Sequence, residues 1–88
     1  NLGATLTALH TPDRAGKPAN ITLGFADLPG YIQNNPYFGV TCGRYANRIA
    51  LGKFSIDGRN YTLATNNGPN HLHGGLKGIN RYVWASRP

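Results

Sequence analysis

Apolar residues alternate with polar or small ones along much of this chain, in short runs separated by turn-forming residues. Such alternation is typical of half-buried β-strands, whose successive side chains point to opposite faces. It predicts strands at residues 3–9, 21–25 and 37–41, and the start of another at Tyr82. The first two are expected to pair as antiparallel neighbours across the loop 12–18. The pattern therefore predicts an all-β chain.

The clearest local signal is a hairpin. Asp57-Gly58 separates two alternating runs, and both residue types accept the positive φ that a tight two-residue turn requires. Phe54 and Ile56 would then share one face of the ribbon. Their candidate neighbours on the opposite strand are Tyr61 and Leu63.

Helical structure is expected only as a short turn. Asp27 is predicted to cap a helical turn through residues 30–32. Further along, residues 65–70 are predicted to form a polar loop. The three residues that follow are predicted to be extended, so that the imidazoles of His71 and His73 point the same way.

The length of 88 residues limits the chain to one domain at most. Nine basic and three acidic residues give a formal net charge of +6. The basic residues are scattered, whereas a nucleic-acid footprint concentrates them on one face, so a basic nucleic-acid-binding module is the weakest alternative. No apolar run is long enough to span a bilayer. We therefore expect neither nucleic acid nor a membrane as a partner.

Both ends of the sequence indicate a segment of a longer protein. The chain begins at Asn1, directly before a predicted strand, contains no Met, and stops at Pro88 without a capping pattern. Cys42 is the single cysteine, which excludes an internal disulfide. Because the sequence shows no signal peptide, the cytoplasm is the default expectation for its location.

The densest group of chemically versatile residues is His71 and His73 with Gly74 and Gly75. Two imidazoles on one face of a strand are candidate metal ligands. A metal needs at least a third protein ligand, however, and His10 is the only other histidine. The alternative is one structural and one functional histidine. The glycines would let the backbone turn sharply or approach a ligand closely.

Asn47-Arg48 is the second candidate site. An amide and a guanidinium fork suit sugar hydroxyls, which both donate and accept hydrogen bonds. The alternative is that Arg48 ties down the carbonyls of its own loop. Acid–base catalysis by paired carboxylates is not expected, because the chain has no Glu and each of its three Asp residues lies in a turn setting.

A succession of short motifs runs through nearly the whole chain. It consists of Leu23-Gly24-Phe25, Tyr31, Asn35-Pro36-Tyr37-Phe38-Gly39, Gly43-Arg44-Tyr45-Ala46-Asn47-Arg48-Ile49-Ala50, Gly52-Lys53-Phe54, Asp57-Gly58, Tyr61-Thr62-Leu63, Asn67, Pro69-Asn70-His71-Leu72-His73-Gly74-Gly75, Gly78 and Trp84. Each motif is weak alone, whereas the gapless succession is specific. It is similar to the N-terminal part of the aldose 1-epimerase (galactose mutarotase) family.

The resemblance implies a large antiparallel β-sandwich, the galactose mutarotase-like supersandwich, several times longer than this chain. Residues 1–88 would form its N-terminal portion, with no complete second domain. The resemblance also implies an isomerase of carbohydrate metabolism that interconverts the α and β anomers of free galactose, glucose and related aldoses. In the family an acid and a base open and close the sugar ring, with neither a metal nor an organic cofactor. A non-catalytic carbohydrate-binding protein of the same fold stays open as the alternative.

Carried over by motif, Asn47, Arg48 and His73 are implied to bind the substrate. His71 stands where the family varies and is given no role. The family's proton-donating His, its substrate-binding Asp and its Glu base lie further along than this segment, so no catalytic residue is expected within it. The implied partners are a free aldose sugar and the remainder of the same domain, in the same or a separate chain.

Overall fold

The structure is a computed structural model that describes residues 1–33 and 35–87. The described residues form six short strands, one α-helix and three 3₁₀ turns. The strands are β1 His10–Pro12, β2 Pro18–Asn20, β3 Arg48–Ile49, β4 Lys53–Ile56, β5 Arg59–Thr62 and β6 His71–Leu72, the helix is α1 Leu28–Gln33, and the 3₁₀ turns cover Ala50–Gly52, Gly75–Lys77 and Ile79–Arg81. The expected excess of strand over helix is confirmed. No helix in this part of the chain is long and apolar enough to cross a membrane.

The strands pair as three separate antiparallel ribbons, β1–β2, β3–β6 and β4–β5. The β4–β5 ribbon is the predicted hairpin, with φ of 49° at Asp57 and 75° at Gly58. Phe54 lies opposite Tyr61, and their rings stack with centroids 5.0 Å apart. That cross-strand pair is confirmed. Leu63 lies beyond the end of β5, where its N–H donates to the carbonyl of residue 52 at 2.7 Å.

The β1–β2 ribbon lies between the two predicted strands and reaches only the first and last residues of the predicted loop 12–18, so the predicted strand bounds 3–9 and 21–25 are wrong. The cause is Asp13, whose carboxylate accepts the N–H groups of Ala15 at 2.8 Å and Lys17 at 2.9 Å. This local network closes a tight turn, and the ladder begins directly beside it. The two segments are antiparallel neighbours as predicted, but they are paired closer to the turn.

The strand predicted at 37–41 is also absent from the described structure. Tyr37 and Gly39 have positive φ, 68° and 65°, and a left-handed residue interrupts an extended run. The segment instead lies against the start of the chain, where the N–H of Leu6 donates to the carbonyl of Gly39 at 2.9 Å. The strand expected from Tyr82 is reduced to an isolated bridge between residues 2 and 83.

Helix α1 begins where the sequence predicted. The side chain of Asp27 accepts the N–H of Gly30 at 3.3 Å, which satisfies one of the free donors of the first turn. Tyr31 then packs its ring edge-on against Phe25, with centroids 5.3 Å apart. The helix is longer than the predicted turn at 30–32 and covers Leu28–Gln33.

Little apolar surface is buried by this chain. Among the described residues Leu72 is the only buried large hydrophobic side chain, whereas Leu23 and Val83 are 71% and 79% exposed. The radius of gyration is 16.7 Å, against about 12 Å for a compact domain of this length. The three ribbons therefore lack a common core of their own.

Candidate functional site

The β3–β6 ribbon brings together the two motifs that the sequence singled out. Arg48 lies opposite Leu72 in the antiparallel register. The ribbon continues beyond its strands, because the N–H of His73 donates to the carbonyl of Asn47 at 3.0 Å. Residues separated in sequence by the whole β4–β5 hairpin thus become neighbours. Asn47, Arg48 and His73 form one cluster, which we call the Asn-Arg-His cluster.

His73 is held by its ring as well as by its backbone. Its Nδ1 atom accepts the backbone N–H of Asn47 at 3.0 Å. A ring nitrogen that accepts a hydrogen bond carries no proton, so the neutral imidazole has its proton on Nε2. The two residues are therefore joined by a reciprocal pair of hydrogen bonds, and the Nε2–H of His73 is left as a donor for a ligand.

The backbone around this cluster is unusual for residues with side chains. Tyr37, Asn47 and His73 have φ of 68°, 59° and 50°, in the left-handed region that non-glycine residues visit at a cost. The ring of Tyr37 lies against the imidazole of His73, with centroids 4.6 Å apart. Conformations of this kind concentrate at ligand sites, where the surrounding structure enforces them.

The prediction that residues 71–73 form one extended stretch is wrong at His73. Strand β6 ends at Leu72, and the positive φ of His73 turns the chain out of the ladder. The two imidazoles have different partners as a result. His71 is 6% exposed and its Nδ1 lies 2.9 Å from the carbonyl oxygen of Ala64. Its surroundings are those of a structural histidine.

The two glycines after His73 permit close packing. Gly74 has a φ of 92°, and a Cβ at this position would collide with the carbonyl oxygen of Gly43. A Cβ on Gly75 would lie 2.7 Å from Cε1 of the His71 ring. The glycines thus bring the backbone that follows the cluster against its neighbours.

Arg48 is exposed, yet its guanidinium has defined partners. Its Nε donates to Oδ1 of Asn67 at 2.8 Å, and Nη1 lies 3.4 Å from Oδ1 of Asn47. Both partners are neutral side-chain amides rather than the loop carbonyls of the alternative interpretation. The remaining guanidinium N–H groups, the amide of Asn47 and the Nε2–H of His73 together offer several donors to one ligand.

The polar loop that supports this cluster had no predicted role. Asn66 accepts the N–H of Leu72 at 2.7 Å and donates to its carbonyl at 2.9 Å, as a neighbouring strand residue would. Asn70 accepts the N–H of Leu51 at 3.1 Å. The signal available in the sequence is three Asn residues within the six-residue loop 65–70, since Asn side chains commonly bond nearby backbone.

The arrangement suits a neutral ligand rich in hydroxyl groups, because amides, an imidazole and a guanidinium supply donors and acceptors together. Within residues 1–33 and 35–87 no group of three or more His, Cys, Asp or Glu side chains is placed to hold a metal ion. The cluster itself contains no carboxylate. What it offers is recognition and orientation of such a ligand.

Comparison with known proteins identifies the family. Residues 1–87 match the family model described as aldose 1-epimerase. The chain is 54% identical over 85 residues to the galactose mutarotase of Bos taurus, covering 97% of this chain and 25% of that protein. For the Homo sapiens galactose mutarotase the identity is 52%, with the same coverage.

Solved structures agree with this match. The crystal structure of a GalM/aldose epimerase homologue from C. elegans has a TM-score of 0.86 and 40% identity, and the match covers 96% of this chain and 26% of that one. Galactose 1-epimerase from Lactobacillus acidophilus has a TM-score of 0.74 and 31% identity, with 94% and 23% covered. The chain spans about a quarter of the length of the curated relatives it matches. It belongs to the aldose 1-epimerase family.

Proposed function

We propose that the protein carrying this chain is an aldose 1-epimerase that interconverts the α and β anomers of free aldoses such as galactose and glucose. Membership of the family supports the reaction class, and the mammalian relatives named galactose mutarotase support the substrate class. The single observation that supports the proposal with particular residues is the Asn-Arg-His cluster on the β3–β6 ribbon.

In this proposal the cluster binds the sugar. The Nε2–H of His73 and the guanidinium of Arg48 donate to sugar oxygens, and the amide of Asn47 both donates and accepts. Because the backbone conformation and the hydrogen bonds of the cluster are fixed before a ligand arrives, little ordering cost is left for the binding step. The sugar is therefore held by its hydroxyl groups in one orientation.

The acid and the base that open the ring come from outside residues 1–88. Ring opening needs one group that protonates the ring oxygen and another that takes the proton of the anomeric hydroxyl. The three carboxylates of this chain are in turn settings: Asp13 binds backbone N–H groups, Asp27 caps α1 and Asp57 lies in the β4–β5 turn. We therefore assign substrate binding to this segment and no catalytic step.

We further propose that residues 1–88 are the N-terminal portion of a large antiparallel β-sandwich. An open apolar hollow of about 1020 Å³ supports this, lined among others by Ile49, Phe54, Ile79 and Trp84. Such a surface is normally covered in a soluble protein, and the matched relatives are about four times longer than the aligned chain. The covering partner in this proposal is the remainder of the same domain, in the same or a separate chain. A cytoplasmic location stays a prediction from the sequence.

Polarimetry of freshly dissolved α-galactose or α-glucose tests the proposed activity. We expect the intact protein to accelerate the decay of optical rotation well above the buffer rate. Calorimetric titration with the same sugars separates the alternative, a carbohydrate-binding protein without activity. Binding without acceleration would favour that alternative, and the absence of both would refute the proposal.

A further inference from the structure

The guanidinium of Arg48 contacts one side chain much more closely than the other. Arg48 is exposed on a two-residue strand, where a long flexible side chain ordinarily samples many rotamers. Its short hydrogen bond is the one from Nε to Oδ1 of Asn67, at 2.8 Å, whereas its contact with Asn47 is 3.4 Å long. Asn67 is therefore the side chain that makes the shorter hydrogen bond with the Arg48 guanidinium.

The backbone of Asn67 is itself held in place by hydrogen bonds. Its N–H donates to the carbonyl of Asn70 at 3.0 Å, and the N–H of Asn70 donates back at 3.0 Å. The preceding residue, Asn66, is joined to both backbone groups of Leu72 at 2.7 and 2.9 Å. Leu72 is the register partner of Arg48. The loop is thus attached to the same ribbon whose arginine it orients.

We propose that Asn67 is a positioning residue for Arg48, which holds Nε so that the two terminal nitrogens form the fork that meets the sugar. The inference rests on the proposed function for its sugar, but not for the contact itself. A guanidinium presents N–H groups on distinct edges. With Nε occupied by Asn67, the edge formed by the two Nη atoms is the one available for paired hydrogen bonds to neighbouring oxygens.

The chemistry that this arrangement recognises is a pair of adjacent oxygens on one ligand. Two Nη donors match two oxygens bonded to neighbouring carbon atoms, as in the vicinal hydroxyl groups of an aldose. Without Asn67, Arg48 keeps its charge and reach but loses its fixed direction. The affinity for sugar should fall, while the catalytic groups, which lie elsewhere, should be unaffected.

The test is kinetic and uses the intact protein with galactose. We expect Asn67→Ala to raise KM roughly 3- to 10-fold with little change in kcat, because one hydrogen bond that orders a charged group is lost. Asn67→Asp keeps an oxygen acceptor at the same place and should restore KM to within about twofold of wild type. In an Arg48→Ala background, Asn67→Ala should have no further effect on KM, because the two residues act as one unit.

Asn70→Ala is the matched control. It removes a side-chain hydrogen bond from the same loop, to the N–H of Leu51 at 3.1 Å, and has no bond to Arg48. We expect it to lower the unfolding temperature but to leave KM near the wild-type value. A KM increase equal to that of Asn67→Ala would mean that the loop is merely structural and would overturn the proposal. So would a wild-type KM in Asn67→Ala.

A second readout does not depend on activity. The Nε–Hε signal of Arg48 in ¹⁵N NMR spectra of the intact protein, assigned by its loss in Arg48→Lys, should be protected from solvent exchange. Protection should persist in Asn67→Asp and Asn70→Ala and disappear in Asn67→Ala. If the protein binds no aldose yet shows this pattern, the proposed function falls and the positioning role stands. If galactose is bound and the signal is unprotected in wild type, the positioning role falls alone.

Discussion

In the proposed function, Arg48 and His73 bind the sugar through hydrogen-bond donors that are oriented before the ligand arrives, and each side chain can be removed separately. In the intact protein, Arg48→Ala should weaken galactose binding by about 1.5–3 kcal/mol, which is the loss of hydrogen bonds from a charged group. Arg48→Lys should recover only part of this loss, because an ammonium group lacks the fork. Calorimetric titration measures both effects.

The matched control for that prediction is Arg59→Ala. Arg59 is also an exposed arginine on a short strand, but its guanidinium lies over the Tyr61 ring, 5.5 Å from the centroid, in the β4–β5 ribbon. The Arg59→Ala substitution should leave the affinity for galactose unchanged. Equal losses in the two variants would indicate a general effect of charge rather than a specific contact.

His73→Asn separates the structural and the binding contributions of His73. Asn tolerates the left-handed backbone at φ 50° and supplies an oxygen that can accept the N–H of Asn47, but it has no counterpart of Nε2–H. We expect a free energy of unfolding within about 1 kcal/mol of wild type and sugar binding weaker by about 1–3 kcal/mol. Urea denaturation and calorimetry give the two numbers.

His73→Val is the contrast for that variant. A β-branched residue is strained at positive φ, so it should lose a further ~1–2 kcal/mol of stability. A His73→Asn protein that binds galactose as wild type does would remove His73 from the site.

At the residue scale, sequence motifs alone named Asn47, Arg48 and His73. They did not predict the supporting contacts from Tyr37 and Asn67. Those contacts depend on how a loop closes against a ribbon, and the sequence does not encode that closure as a periodic pattern. The left-handed conformation of His73 was missed for a related reason: an alternating His-Leu-His pattern predicts an extended chain, whereas the pairing with Asn47 turns it.

At the level of elements, the β3–β6 ribbon depends on the close approach of its backbone to neighbouring segments. Gly74→Ala would place a Cβ against the Gly43 carbonyl at a φ of 92°. We expect a loss of about 2–5 kcal/mol in the free energy of unfolding of the intact protein, from backbone strain and overpacking together. Urea denaturation measures the loss.

Gly58→Ala is the control for that substitution. Gly58 also has positive φ, at 75°, but a Cβ added there would meet nothing within 4 Å. We therefore expect Gly58→Ala to lower the free energy of unfolding by only about 1–2 kcal/mol, from backbone strain alone. A loss for Gly74→Ala no larger than for Gly58→Ala would show that the contact with Gly43 is not important for packing.

Elements whose signal is local were predicted correctly from the sequence. The Asp57-Gly58 turn joins the two strands of its own hairpin, β4 and β5. Asp27 caps α1 from the position directly before the helix. The predictions of strands at 3–9, 21–25 and 37–41 were wrong, because an alternating pattern indicates only that a segment can be extended. Where its ladder forms depends on partners and on turns, such as the one that Asp13 closes in the β1–β2 ribbon.

At the scale of the whole molecule, three ribbons without a shared core carry the proposed sugar-binding cluster, which contains no acid–base pair. Leu72 is the buried large hydrophobic residue that the described chain provides, and burial of apolar surface is the main favourable term in folding. The proposed remainder of the domain would therefore supply both the missing core and the missing chemistry. The two deficits have one explanation.

The most direct test is polarimetry of fresh α-galactose with the pure 88-residue chain, alone and together with the proposed remainder of the domain. Each missing acid or base contributes about 10²–10⁴-fold to such a reaction. We predict that the chain alone leaves the rate at that of buffer, and that the remaining segment restores rapid mutarotation. Rapid mutarotation by the 88-residue chain alone, abolished by His73→Asn, would contradict the account, because the catalytic groups would then lie within this segment.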